Sequence, residues 1–208
     1  MTHPSNATDR HDRYDATTTL VVVDVQNDFA DPAGGLYVPG GDAVVPLINE
    51  QIGAARAAGA TVVFTQDWHP PETPHFAKDG GTWPVHCVAG TWGAEFHPDL
   101  EVPDTAPVVR KGVDGGDGYS GFSVQDPVSG ERSSTELGRL LTEAGTQRVV
   151  VTGLAGDVCV KETALDARRL GYDVVLPLRT TRMVELAPGD GERAIQQVRD
   201  AGVEVVEG

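Results

Sequence analysis

From Thr17 onward, β-branched apolar runs alternate with segments whose apolar residues recur at the spacing of an α-helix. Strands are predicted within residues 18–25, 61–66, 106–112, 147–154, 173–178 and 203–206. Helices are predicted within residues 42–59, 133–145, 157–171 and 191–202, the second with Ser133 and Glu136 spaced as a capping box. The pattern therefore predicts an α/β fold, a three-layer α/β/α sandwich with a mainly parallel sheet of about six strands.

The two ends of the chain differ in character. Residues 1–16 are polar and show no apolar period, so we predict a mobile N-terminal tail there. Residues 17–208 are predicted to form a single domain, because a chain of 208 residues with 39% hydrophobic residues suffices for one core.

The net charge of the chain limits the classes of partner that we expect. It carries 31 acidic and 16 basic residues, a formal charge of −15, so we expect neither nucleic acid nor an anionic membrane as partner and favour a small neutral or cationic ligand. No apolar run approaches the roughly 20 residues needed to cross a bilayer, and the first residues lack the apolar segment of a signal peptide. We therefore expect a cytoplasmic protein. Whether the chain forms a homo-oligomer stays open, because no apolar run in the sequence marks an interface.

Four predicted strands end beside chemically active side chains: Asp24, Asp67, Lys111 and, after a short turn, Cys159. In parallel α/β sheets ligands bind beyond the carboxyl ends of the strands, where these residues would meet. A thiol, a carboxylate and an ammonium group supply a nucleophile, a proton acceptor and a cation that favours the thiolate. Taken singly, each residue also fits an ordinary role as a turn residue, a solvated lysine or a small core side chain. Their convergence favours a cysteine nucleophile.

Cys159 lies where the fourth predicted strand turns into a helix. The N-terminal amides and the dipole of that helix predict a thiol pKa below the free value of about 8.5. The amides around Ala155 and Cys159 are also placed to form an oxyanion hole for a tetrahedral intermediate.

Three of the six histidines lie in two neighbouring segments, TQDWHPPETPHF (residues 65–76) and WPVHC (residues 83–87). An aspartate and two histidines are suitable ligands for one divalent metal ion, Zn²⁺ first and Fe²⁺ or Mn²⁺ as alternatives. A polar loop that happens to be rich in histidine is the other interpretation. No GxGxxG or P-loop pattern follows a strand, which argues against a nucleotide-binding fold of those types.

Several longer motifs occur in order along the chain: VVDVQNDF, VPGGDAVVPLIN, TQDWHP, WPVHCVAGTWGAEFHPDL, RKG, GYSGF and GLAGDVCVKETALDA. With them the chain resembles the nicotinamidases of the isochorismatase-like cysteine hydrolase family, from about Thr18 to Val206, and the resemblance implies a Rossmann-like sheet. It also implies a catalytic triad of Asp24, Lys111 and Cys159.

The resemblance assigns further residues to the site. It implies metal ligation by Asp67, His69 and His86, and His75 matches a histidine that ligates metal in some members. It also implies residues of the substrate pocket, because Phe29 and Trp83 match aromatic residues that line a pyridine pocket. Tyr119 matches a tyrosine near the active site. The alternative for Tyr119 is a buried tyrosine with a structural role. A cis peptide bond between Leu154 and Ala155 is implied as well.

Residues beside these positions are given supporting roles. We interpret Trp68 as a wall of the cleft, Cys87 as structural and Asp157 as a support of the turn before the nucleophile. Gly156 and Val158 depart from the family pattern, in which many relatives have threonine and an aromatic residue. These departures leave the shape of the pocket, and thus the breadth of substrates, open.

The resemblance implies metal-dependent hydrolysis of nicotinamide to nicotinate and ammonia, as in NAD salvage, with the metal binding the ring nitrogen and pyrazinamide as a second substrate. One alternative is a related amidohydrolase acting on a carbamoyl or ureido compound, which usually lacks the metal residues. Another is an isochorismatase proper, which needs no such metal. A catalytically inactive binding protein on the same fold is the last alternative, and the presence of all three triad residues disfavours it.

Overall fold

A six-stranded parallel sheet forms the centre of the computed structural model, which describes residues 14–207. The strands are β1 (Thr18–Val23), β2 (Thr61–Asp67), β3 (Val108–Lys111), β4 (Ser123–Gln125), β5 (Arg132–Ser134), β6 (Arg148–Gly153), β7 (Asp173–Pro177) and β8 (Glu204–Val206). The order in the large sheet is β3-β2-β1-β6-β7-β8, with every neighbouring pair parallel, while β4 and β5 form a separate antiparallel pair. The predicted six-stranded, mainly parallel sheet is confirmed.

Helices cover both faces of this sheet. They are α1 (Asn27–Ala30), α2 (Gly41–Ala57), α3 (Leu137–Glu143), α4 (Lys161–Arg169) and α5 (Asp190–Asp200). Because side chains alternate along a strand, Leu20 and Val22 of β1 pack with α2, whereas Val21 and Val23 pack in the core that α3, α4 and α5 share. Each such buried side chain contributes about 1.5–3 kcal/mol. The predicted three-layer sandwich is confirmed.

The middle of the sheet contains a topological switch point. β1 and β6 are neighbours, and Val23 at the end of β1 is the register partner of Gly153 at the end of β6. The chain leaves β1 toward β2 on one side and leaves β6 toward β7 on the other. A crevice therefore opens beyond the carboxyl ends of β1 and β6, the place where sheets of this kind bind ligands.

Three local features of the structure differ from the prediction. The capping box is wrong, because Ser133 belongs to β5 and α3 begins only at Leu137, whose amide donates to Thr135 Oγ1 at 3.2 Å. The β4–β5 hairpin was not predicted, since each of its strands has three residues and too little apolar pattern to be recognised. The helix predicted for residues 157–171 opens with a π-helical turn, Gly156–Val160, before α4 begins.

The predicted N-terminal tail lies largely in residues 1–13, which fall outside the described residues. Tyr14 already contacts the domain, since its hydroxyl group donates to Gln51 Oε1 of α2 at 2.7 Å. Among the helices of residues 14–207, none is long and apolar enough to span a membrane.

Candidate active site

The carboxyl ends of four strands bring the predicted triad and the first metal-ligand candidate onto one rim. Asp24 follows β1 directly, and Asp67 and Lys111 are the last residues of β2 and β3, where they are register partners. Cys159 lies in the π-helical turn after β6. All four side chains are buried. Residues that are far apart in sequence thus meet in a region shielded from water.

Lys111 lies at the centre of this group. Its Nζ atom is 2.7 Å from Asp24 Oδ2 and also contacts Asp67 Oδ1. It donates a hydrogen bond to the Gly118 carbonyl oxygen at 2.6 Å and lies 3.9 Å from Cys159 Sγ. Burial alone would lower the pKa of Lys111, but the two carboxylates raise it well above its ordinary value. Lys111 is therefore a permanent cation between the nucleophile and both aspartates.

The two aspartates have different protonation behaviour. Burial raises the pKa of Asp24 to about 6, against the opposing influence of Lys111. Burial acts on Asp67 in the same direction, yet Lys111 and His69 together hold the pKa of that carboxyl below its usual range. Thr65 Oγ1 donates to Asp24 Oδ1 at 2.6 Å and fixes the orientation of the carboxylate. Asp24 can therefore exchange a proton near neutral pH, whereas Asp67 stays ionised.

The predicted low pKa of Cys159 is wrong. Burial raises the pKa of the Cys159 thiol well above its ordinary value. Lys111 acts to lower this pKa, but the nearby Asp24 and Asp67 carboxylates offset part of that effect. The prediction considered only the start of a helix and not the burial of the turn or the negative charge beside it. A carboxylate oxygen of Asp24 lies within 4.8 Å of the sulfur. The thiol thus needs a base, and Asp24 is placed to act as one.

The turn before Cys159 has a fixed backbone. The peptide bond between Leu154 and Ala155 is cis, as the family resemblance implied. The amide groups of Val158 and Val160 both donate to the Ala155 carbonyl oxygen at 3.1 Å. These bonds hold the segment that carries the Ala155 and Cys159 amides, the two groups predicted to form an oxyanion hole.

Asp157 ties this turn to the opposite wall of the crevice. Its two carboxylate oxygens accept hydrogen bonds from the amides of Val184 and Glu185, each at 2.9 Å. Asp157 therefore supports the turn, as we interpreted from the sequence, and it also positions Val184, which lines the cavity beside Cys159.

Next to Asp67, three buried histidines form a compact group. One ring nitrogen of each of His69, His75 and His86 lies within 4.8 Å of the others. Asp67 Oδ2 is 3.8 Å from His69 Nε2 and 3.9 Å from His86 Nε2. The rings of His69 and His75 stack with their centroids 4.5 Å apart. The structure thus brings His75 together with the three residues predicted as metal ligands.

The chemistry of this group fits a divalent metal ion. His69 is fully buried, and among the described residues neither of its ring nitrogens has a hydrogen-bond partner. Buried polar atoms without partners are rare and destabilising, and an ion would provide a partner for one of the two nitrogens. Burial lowers the pKa of His86 to about 4 and also lowers that of His75, so both rings are neutral, the form that binds metal. Imidazole nitrogens with one carboxylate suit Zn²⁺, Fe²⁺ or Mn²⁺.

An aromatic cleft connects the histidines with the nucleophile. Phe29, Trp83 and Tyr119 line this cleft together with His86 and Cys159. Trp83 Nε1 donates to the Tyr119 hydroxyl oxygen at 2.9 Å, so these two side chains form one wall. A cleft lined by aromatic side chains, with a few polar groups among them, suits a small aromatic molecule.

Trp68 and Cys87 have other surroundings. The interpretation of Trp68 as a wall of the cleft is wrong, because the residue does not line the cavity and instead packs its ring against the Arg110 guanidinium group at 3.8 Å. Cys87 is fully buried, and its amide donates to Asp28 Oδ2 at 2.6 Å. Burial raises the pKa of the Cys87 thiol, which agrees with a structural role.

Comparison with known proteins places this site in a family. The isochorismatase domain matches residues 18–208, which is nearly the whole chain. The chain belongs to the isochorismatase family.

Within this family, its relatives include amidohydrolases. The chain is 38% identical over 194 residues to the nicotinamidase/pyrazinamidase of Mycobacterium tuberculosis, with 90% of this chain and 97% of the relative covered. It is 36% identical over 199 residues to the nicotinamidase of Escherichia coli, covering 88% and 91%. Among solved structures it is similar to the pyrazinamidase of Pyrococcus horikoshii in complex with zinc, with a TM-score of 0.82, 37% identity and coverage of 92% and 99%.

The structure of this family member also shows site residues that the sequence reasoning missed. Thr65, which holds Asp24, lies two positions before Asp67 and therefore on the same face of β2, a signal that could have been used. Gln26 fixes the backbone of Asp67, accepting from its amide and donating to its carbonyl oxygen, both at 2.8 Å. Asp117, whose Oδ1 lies 2.6 Å from His75 Nδ1, and Val184 come from loops whose position only the tertiary fold determines, so the sequence held no signal for them.

Proposed function

We propose that this chain hydrolyses nicotinamide to nicotinate and ammonia, a step of NAD salvage. The observation that supports the proposal is one cleft in which the Cys159 thiol, with Asp24 and Lys111 beside it, faces aromatic side chains and two of the histidines proposed as metal ligands. The triad accounts for cleavage of an amide, and the wall accounts for a pyridine ring attached to it. Relatives that are named nicotinamidases support the same conclusion.

The reaction begins with proton transfer from Cys159 to Asp24. Because burial holds Cys159 as a thiol and gives Asp24 a pKa of about 6, the carboxylate is largely ionised at neutral pH and can accept the proton. Lys111 stabilises the thiolate that forms, since its ammonium group is 3.9 Å from the sulfur.

Bond formation and cleavage follow at the carboxamide carbon. The sulfur of Cys159 attacks that carbon, and the amides of Ala155 and Cys159 stabilise the negative charge on the carbonyl oxygen. Asp24 returns its proton to the leaving nitrogen, so ammonia departs and a nicotinoyl thioester remains. Asp24 then takes a proton from water, and the hydroxide attacks the thioester. As the C–S bond breaks, Asp24 returns this proton to the Cys159 sulfur, and the nicotinic acid that leaves loses its own proton to solvent to give nicotinate.

Asp67, His69, His86 and His75 would hold a divalent metal ion. When bound, the ion supplies a Lewis acid that can take a ring nitrogen as a further donor. Phe29 and Trp83 orient the ring by packing against its faces. Pyrazinamide carries a ring nitrogen in the same position relative to its carboxamide, so we propose it as a second substrate.

Ammonia release tests the proposal. The protein is assayed with nicotinamide, pyrazinamide and a carbamoyl compound, each with and without a metal chelator. Nicotinamide and pyrazinamide should be hydrolysed and the carbamoyl compound should not, and the chelator should suppress turnover. The variant Cys159→Ala should release no ammonia while keeping its fold, whereas the buried cysteine outside the cleft gives a matched control, Cys87→Ala, that keeps activity. Appreciable ammonia release by Cys159→Ala would refute the covalent route.

A further inference from the structure

An acidic side chain outside the proposed ligand set contacts one of the histidines. Asp117 Oδ1 lies 2.6 Å from His75 Nδ1, a short distance for a hydrogen bond between these groups. The His75 side chain is only 4% exposed, and that of Asp117 is 20% exposed. The contact is therefore largely shielded from water, where a hydrogen bond to a carboxylate is strongest.

The backbone around Asp117 is fixed from two sides. Its amide donates to the Gln125 carbonyl oxygen at 2.7 Å, and its carbonyl oxygen accepts from the Gln125 amide at 3.0 Å. The next residue, Gly118, accepts the hydrogen bond from Lys111 Nζ. The β4–β5 hairpin and the catalytic lysine thus hold Asp117 in place, and its carboxylate reaches His75 from a rigid support.

The contact determines which nitrogen of His75 is available. A carboxylate can only accept a hydrogen bond, so His75 Nδ1 carries the hydrogen and donates it, and Nε2 keeps its lone pair free for a metal ion. His86 uses the same arrangement with a neutral acceptor, because its Nδ1 lies 2.7 Å from the Pro84 carbonyl oxygen. His69 has no such acceptor among the described residues. Within residues 14–207, His75 is the one histidine of these three whose Nδ1 is paired with a carboxylate.

We infer that Asp117 is a positioning residue of the metal centre, which orients His75, fixes its Nδ1–H tautomer and strengthens Nε2 as a metal ligand. The inference rests on the metal centre of the proposed function. Carboxylates that bind the second nitrogen of a ligating histidine raise its basicity, and their loss typically weakens metal binding about 10–100-fold. Asp117 is outside the proposed ligand set and does not line the cleft beside Cys159, whereas its carboxylate contacts His75, so it acts through His75.

Metal titration tests this role without relying on turnover. Metal-free wild-type protein and the variants Asp117→Ala, His75→Ala and the double variant are titrated with Co²⁺, following its visible absorption, and the affinity is measured by competition with a chromophoric chelator. Asp117→Ala should bind Co²⁺ about 10–100-fold more weakly than the wild type. Because Asp117 acts through His75, the double variant should match His75→Ala within about twofold.

Asp114 provides the matched control, since it is an exposed acid of the same loop and Asp114→Ala removes the same charge. It should leave Co²⁺ affinity unchanged. An equal loss in Asp114→Ala, an unchanged affinity in Asp117→Ala, or losses that add in the double variant would each overturn the inference. Wild-type protein that hydrolyses nicotinamide but binds no Co²⁺ would overturn the centre and this role while leaving the amidase reaction in place.

A second measurement does not depend on a variant that folds. In ¹⁵N spectra of metal-free wild-type protein with labelled histidine, His75 should show a protonated Nδ1 and an unprotonated Nε2. The opposite tautomer would contradict the role of Asp117. If Asp117→Ala does not fold, Asp117→Asn takes its place in the titration, with a smaller loss expected because its amide oxygen is a weaker, neutral acceptor.

Discussion

Replacing Lys111 with methionine tests whether one buried cation holds the site together. The change keeps an unbranched side chain that is one atom shorter, removes the ammonium group and replaces one methylene group with sulfur. In the native protein that group lies 2.7 Å from Asp24 Oδ2, contacts Asp67 Oδ1 and donates to the Gly118 carbonyl oxygen. The variant would leave two buried carboxylates close together with no cation between them.

The size of the effect follows from these distances. At an effective dielectric constant of about 20, the attraction across the Lys111–Asp24 contact is about 6 kcal/mol, and desolvation of the charges offsets part of it. Removing one partner of a buried ion pair costs about 3–5 kcal/mol. We therefore expect Lys111→Met to lower the free energy of unfolding by about 3–5 kcal/mol at pH 7.5 and to abolish ammonia release.

The loss should depend on pH in a defined direction. Without the lysine, burial and mutual repulsion raise the folded-state pKa values of Asp24 and Asp67 above the unfolded value of about 3.9. An acid whose pKa is raised on folding destabilises the native state as pH rises from the unfolded toward the folded value. In the wild type, Lys111 holds the pKa of Asp67 low, so that carboxylate keeps stabilising the protein above pH 4. The variant's deficit should therefore be smaller at pH 5 than at pH 7.5.

Urea unfolding of metal-free protein at both pH values measures this deficit. Lys78→Met is the matched control, because that lysine side chain is 43% exposed and pairs with Asp79 at the surface, where such pairs contribute about 0–1 kcal/mol. A deficit below 1 kcal/mol for Lys111→Met, or one that is equal at both pH values, would refute the electrostatic account.

Three further predictions concern single positions. Because the pKa of Asp24 is about 6, kcat/KM for nicotinamide should rise with pH through about 6 as the carboxyl group loses its proton. Ammonia-release assays measure this profile, and a flat profile from pH 5 to 7 would contradict the role of Asp24 as base. Thr65→Val removes the 2.6 Å hydrogen bond to Asp24 and should lower kcat about tenfold, whereas Thr65→Ser should keep most activity; equal kinetics for the two variants would argue against this positioning. A Cβ at Gly156 would lie 2.5 Å from Met183 Sδ and 2.8 Å from Thr181 Oγ1, so Gly156→Ala should cost about 1–3 kcal/mol in urea unfolding, part of which a second change, Met183→Ala, should restore.

The sequence predicted the sheet well because its strands are long enough to show a pattern. Six runs rich in valine fill both faces of the sheet, and the helices between them have a clear apolar period. The β4–β5 hairpin escaped prediction because its strands are short and partly or fully exposed. The π-helical turn at Gly156–Val160 could not be distinguished from α-helix, since both have buried apolar residues at similar spacing.

The candidate site was predictable in its residue types but not in its electrostatics. Asp24, Lys111 and Cys159 could be placed on one rim because each follows a strand of one parallel sheet. The raised pKa of Cys159 could not be foreseen, because it depends on burial and on carboxylates that other strands supply. Asp117 was missed for a related reason: its contact with His75 joins two loops 42 positions apart, and no local pattern marks it.

The register of β2 links the stability of the sheet to the chemistry of the site. Thr65 and Asp67 are two positions apart on β2, so both side chains lie on one face of the strand. Thr65 holds Asp24 by a hydrogen bond, and Asp67 contacts Lys111. Thr65 is the register partner of Val109, and Asp67 is the partner of Lys111, so pairing with β3 places the lysine opposite the carboxylate it binds. A slip of one residue would turn both side chains of β2 to the other face and separate the base, the cation and the metal ligand at once. The buried valines that fix this register therefore also position the catalytic residues.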